Sequence, residues 1–102
     1  HLLKAVDGWT DLGLGEFELR YIRDVHKREV DFLVVRNKMP WMLVEAKAAE
    51  TNCSPTLGFF KEKIHAPFAF QVVMDLPFEN INCFDYRRPV VVPARTFLSQ
   101  LL

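Results

Sequence analysis

The sequence of 102 residues predicts an α/β domain, a mixed sheet covered by helices. Three observations carry that expectation. The stretch from Arg28 to Lys47 reads as two apolar strands joined by a short polar turn at Asn37 and Lys38. Phe68 to Met74 reads as a further strand, set off from that hairpin by a helix; strand, helix, strand in this order implies parallel pairing through a right-handed crossover. Half of the residues are apolar and nine are Phe, enough for one modest core in a single domain of residues 1–102.

The elements follow in order. Leu2, Val6, Trp9 and Leu12 recur at helical spacing, so residues 2 to 12 read as an amphipathic helix, ended by Gly13 at a left-handed C′ position. Phe17 to Asp24 is rich in aromatic and branched residues and reads as the first strand. Val25 to Lys27 form a polar turn, which makes the next strand antiparallel. In that strand Val30, Phe32 and Val34 share one face and Asp31, Leu33 and Val35 the other, because strand side chains alternate. Both faces are apolar apart from Asp31, the mark of a strand covered on both sides.

In the following strand Trp41, Leu43, Glu45 and Lys47 fall on one face, and Met42, Val44 and Ala46 on the other. Ala48 to Ser54 is a polar loop. Ser54 as N-cap and Pro55 at N1 start a helix with Leu57, Phe60 and Ile64 as its buried stripe and Lys61, Glu62 and Lys63 as its wet side. Phe68, Phe70, Val72 and Met74 then point one way and Gln71 the other. Asp75 to Pro89 is turn-rich, with a short strand expected around Ile81 to Phe84. Val90 to Val92 is a short strand, and Pro93 opens a terminal helix through Leu101 that buries Phe97, Leu98 and Leu101. The expected order is α-β-β-β-α-β with a small C-terminal strand and helix.

Composition narrows the function classes. No apolar run approaches the ~20 residues that span a membrane, and no signal-peptide pattern opens the chain. Cys53 and Cys83 lack metal-type spacing and read as free thiols of a cytoplasmic protein, a single disulfide being the alternative. Thirteen basic and thirteen acidic residues cancel, which argues against strong non-specific DNA binding. Arg20, Arg23, His26, Lys27, Arg28, Arg36 and Lys38 nonetheless concentrate positive charge around the first hairpins, as a solvated rim or as an edge that steers phosphate. No glycine-rich phosphate loop is present. The chain opens at His1 inside an uncapped helix, so it is expected to be a fragment of a longer protein.

Asp31, Glu45 and Lys47 stand out because they continue apolar strand faces. Burying a polar group without a partner costs roughly 2–7 kcal/mol, so the two carboxylates need compensation. A divalent cation supplies it, and two carboxylates on neighbouring strands suit Mg²⁺. Lys47, two residues beyond Glu45 on the same face, would reach a phosphate or a water held there. The alternative is a Glu45–Lys47 or Asp31–Lys47 ion pair at the sheet rim, with no chemistry.

Asp31, followed after a hairpin by Glu45-Ala46-Lys47 on an apolar strand, resembles the D…(D/E)-x-K signature of the PD-(D/E)XK nuclease superfamily. The wider wording R-E-V-D-F-L-V, P-W-M-L-V-E-A-K, A-P-F-A-F-Q-V-V and V-V-V-P-A-R-T-F-L resembles the nuclease-like C-terminal domain of prokaryotic AAA-type P-loop ATPases, largely of unknown function. The resemblance implies a restriction-endonuclease-like αβββαβ core and a P-loop ATPase domain linked upstream. It also implies metal-dependent hydrolysis of DNA, with Mg²⁺ or Mn²⁺ held by Asp31, Glu45 and the backbone carbonyl of Ala46, and Lys47 as the catalytic cation. In that superfamily a further acid commonly sits on the first helix. Here that helix offers only Asp7 and Asp11, and Glu18 on the first strand is the other candidate ligand. Arg20, Arg28, Arg36 and Gln71 are candidate nucleic-acid contacts, Gln71 reading first as a buried amide bonded to backbone neighbours. A nuclease fold without hydrolysis, serving the attached ATPase in structure or recognition, is the alternative.

Overall fold

A computed structural model describes residues 2–23 and 29–101. The order is α1 (Leu2–Asp11), β1 (Phe17–Arg23), β2 (Glu29–Arg36), β3 (Met39–Lys47), α2 (Pro55–Ile64), β4 (Phe68–Val73), a 3₁₀ turn (Cys83–Asp85), β5 (Val90–Pro93) and α3 (Ala94–Ser99). The five strands form one sheet in sequence order, antiparallel from β1 to β3 and parallel from β3 to β5. That is the expected mixed α/β sheet. The turn expected at Val25 to Lys27, and Arg28 with it, lie outside the described residues.

Two apolar clusters occupy the two faces. Val34, Met42, Val44, Phe68, Phe70, Val72 and Val92 pack with Ala5 of α1 and with Ala94 and Phe97 of α3. Val30, Leu33, Val35, Leu43 and Ala69 pack instead beneath Leu57 and Phe60 of α2. Alternation along β4 explains how one strand feeds both, and all six of its residues are buried. Among the described residues no helix is long and apolar enough to cross a membrane.

Local chemistry sets the joints. Asn37 and Lys38 both take positive φ, 51° and 67°, so the hairpin turns in the left-handed region. The Asn37 side chain accepts from the Glu16 amide at 2.8 Å, tying the hairpin to the start of β1. Gly13, at φ 76°, follows α1 as expected. Ser54 does occupy the N-cap position of α2 with Pro55 after it, but its hydroxyl makes no capping bond.

Several expectations are corrected. Val34 pairs with Met42 while Val35 pairs with Pro40, so Trp41 is a surplus residue, a β-bulge in β3. Pro40, which has no N–H for the ladder, sits beside it. The bulge breaks alternation: Trp41 packs on the α1/α3 face, whereas Leu43 stays on the α2 face. A second bulge lies in β2. Arg20 pairs with Leu33 and Ile22 with Val30, which sets Asp31 and Phe32 opposite Tyr21 alone. Val30 consequently joins Leu33 and Val35, not Phe32 and Val34. Leu12 lies past the end of α1 and is exposed, as is Met74 past the end of β4.

No strand forms at Ile81 to Phe84. The Gln100 side chain takes those backbone groups, accepting from the Cys83 amide at 2.8 Å and donating to the Ile81 carbonyl. Thr96 likewise accepts from the Glu79 amide and donates to its carbonyl, at 2.8 and 2.9 Å. Two polar side chains at the C-terminus thus hold the long connection.

Candidate functional site

The end of β3 gathers the singled-out groups. Glu45 lies two residues past Leu43 on the α2-covered face. It is only 7% exposed. One carboxylate oxygen, Oε1, lies 3.5 Å from Lys47 Nζ, while the buried Oε2 has no hydrogen-bond partner. Lys47 itself is partly open to solvent.

Asp31 approaches the same segment from β2, but it is exposed and not buried as its apolar strand face suggested. Its Oδ2 accepts from the backbone amide of Ala46 at 2.8 Å. The β2–β3 ladder ends at Phe32 and Val44, and just past it the Asp31 carboxylate, in the β2 bulge, takes the Ala46 amide. Asp31 is thereby tied to Ala46, the residue between Glu45 and Lys47. The Glu45–Lys47 contact is one of the two ion pairs the sequence offered as an alternative to metal binding.

Gln71 completes the surroundings. It is opposite Glu45 in the parallel β3–β4 register and fully buried. Its amide nitrogen donates to the carbonyls of Glu50 and Asn52 at 3.0 and 2.9 Å, and its oxygen accepts from the Ser54 amide at 2.8 Å. All of this amide's strong bonds go to the loop, which it holds against the sheet next to Glu45. That loop brings in Cys53, which sequence reasoning left aside. Burial, and then the negative charge of Glu45, push the Cys53 thiol above its ordinary value. Both cysteines are free.

The other candidates sit elsewhere. Glu18 pairs with Val35, four residues along β2 from Asp31, or about 13 Å of strand. Its carboxylate is bound by Arg20 at 2.7 Å. Arg36 is at the opposite end of β2, its guanidinium 5.7 Å from the ring centres of both Phe17 and Trp41. Asp7 and Asp11 are exposed on α1, whose last turn packs at that same far end through Trp9 and Phe17. Arg28 is outside the described residues. Among the described residues no group of three or more His, Cys, Asp and Glu is placed to hold a metal ion.

Two carboxylates and a strand carbonyl are hard oxygen donors, and the lysine lies beside one of the carboxylates. That set suits Mg²⁺ or Mn²⁺ better than a thiophilic metal, and the partnerless Glu45 oxygen is the kind of atom a cation would satisfy. Comparison with protein-family models, curated proteins and solved structures gives no match for this chain.

Proposed function

We propose that the chain is a nuclease-like module of PD-(D/E)XK type that hydrolyses phosphodiesters in DNA, with Mg²⁺ or Mn²⁺ held by Asp31, Glu45 and the Ala46 carbonyl. One observation carries the reading: Glu45 is a buried carboxylate with an oxygen that nothing in the described chain satisfies. Such an atom is costly unless a ligand meets it. The metal, when bound, supplies Lewis acidity and a more acidic water. The chain's own residues do the rest. Asp31 is preorganised by the Ala46 amide, so its carboxylate need not be reoriented on binding. Lys47 keeps its ammonium beside Glu45 at the solvent boundary, where a phosphate would meet it and where it would offset developing negative charge. Gln71 fixes the loop that borders Glu45. In this reading the module is cytoplasmic and acts with a P-loop ATPase domain of the same chain.

The test is direct. Calorimetric titration with Mn²⁺ should give heat for the wild type and none for Glu45→Gln. Asp31→Ala and Lys47→Ala should abolish Mg²⁺-dependent DNA cleavage while retaining the wild-type melting transition. Absence of Mn²⁺ binding by the wild type would dismiss hydrolysis. A specific observation supports a second reading, a nuclease fold without hydrolysis that serves the attached ATPase: among the described residues no third acid joins Asp31 and Glu45. DNA or partner retention without Mn²⁺ binding would select it.

A further inference from the structure

A concavity of about 390 Å³ lies at the opposite end of the sheet from Glu45, lined by Trp9, Leu14, Phe17, Arg36, Trp41 and Phe84, with Gln100 and Leu101 closing it. That volume falls within the range of small-ligand pockets. Its floor is a set of rings in mutual contact. Trp9 meets Phe17 at 5.2 Å and Trp41 at 5.7 Å, Phe17 meets Trp41 at 5.5 Å, and Phe84 stacks on Trp41 at 5.8 Å with 10° between planes. Three of these ring pairs are tilted or edge-to-face, at 57–78°, so the rings wall an apolar hollow whose edges and faces can take an aromatic partner.

The polar groups in the wall are spoken for, with one exception. Trp9 Nε1 donates to the Leu101 carbonyl at 2.8 Å. The Gln100 amide is engaged by Ile81 and Cys83. Arg36 alone has no carboxylate within ion-pairing distance among the described residues, and no hydrogen bond to them. Its guanidinium rests over Phe17 and Trp41, which fixes a five-donor cation at the rim. Among the described residues this cation has no anion, and beside a ring-walled hollow it is complementary to an anion with an apolar body.

We propose that this cavity binds a small organic anion with a flat apolar body, its ring against Trp9, Phe17 and Trp41 and its anionic group paired with Arg36. The cavity lies at the opposite end of β2 from Asp31, so binding there does not depend on the hydrolytic reading.

Both tryptophans of the chain line the cavity, so intrinsic fluorescence excited at long wavelength reports this site alone. The probes are phenylacetate, phenyl phosphate and the uncharged 2-phenylethanol, each titrated into the wild type and Arg36→Gln. The expected result is saturable quenching by at least one anion, binding tighter than the alcohol by about tenfold or more, with that advantage lost in Arg36→Gln. The two anions separate carboxylate from phosphate preference. Equal affinity for anion and alcohol would overturn the proposal, as would an anion titration unchanged in Arg36→Gln or no saturation by either anion. An Arg36→Lys variant, which keeps the charge but not the fork, should retain part of the preference and guards against misfolding of Arg36→Gln.

Discussion

The two faces of the sheet are made differently, and β4 shows it in adjacent residues. Phe70 and Gln71 are both fully buried, one on each side. The α1/α3 face is filled by rings: Phe70 meets Phe68, Phe84 and Phe97 at centroid distances of 5.2–6.1 Å. The α2 face is aliphatic under the helix and then turns polar, with Gln71 and Glu45 side by side in the β3–β4 register. The difference follows from the covering element. α2 covers only part of its face, and where the 48–54 loop takes over, the sheet must satisfy backbone amides and carbonyls, which rings cannot do.

That contrast is open to experiment at both members of the pair. Phe70→Ala removes a ring at the centre of the aromatic cluster and should cost about 3–5 kcal/mol in urea unfolding; a cost near that of an exposed Phe would mean that the rings are loosely packed. Gln71→Leu keeps the volume but strands two carbonyls and an amide of the loop. It should cost about 1–3 kcal/mol and raise hydrogen exchange at residues 50–54, with the rest of the sheet unchanged. A neutral Gln71→Leu would show that the loop does not depend on the sheet.

The smallest effect probes Glu45. Because burial and the Glu45 charge both raise the Cys53 thiol, less thiolate is present at a given pH than for an ordinary thiol. In a Cys83→Ala background, alkylation of Cys53 should therefore rise with pH along a curve displaced to higher pH than in the unfolded chain. Glu45→Gln removes the lesser cause and should move the curve part of the way down. An unmoved curve would place the Glu45 charge away from the loop.

Much of the fold was legible in the sequence, and the exceptions have one physical root. The strands announced themselves by alternation and branched side chains, α2 by Ser54-Pro55, and the end of α1 by Gly13. Alternation assumes that every residue advances the ladder by one step, and at Trp41 and at Asp31–Phe32 it does not. Pro40 was the only local hint of the first bulge; nothing in composition marks the second. Glu45, Lys47 and Gln71 lie beyond the bulges, so their faces were read correctly. Loop anchoring by Thr96 and Gln100 joins residues 17 and 19 apart, and no local pattern encodes it.

The surplus tryptophan has a further consequence for how this hairpin can change. The extra step at position 41 sets one phase offset, so Trp41 faces the ring-walled hollow while Leu43 keeps to the α2 face. Deleting Trp41 would restore plain alternation at the tip and take its ring out of the hollow's wall, while the pairing of 32–34 with 42–44 could stand.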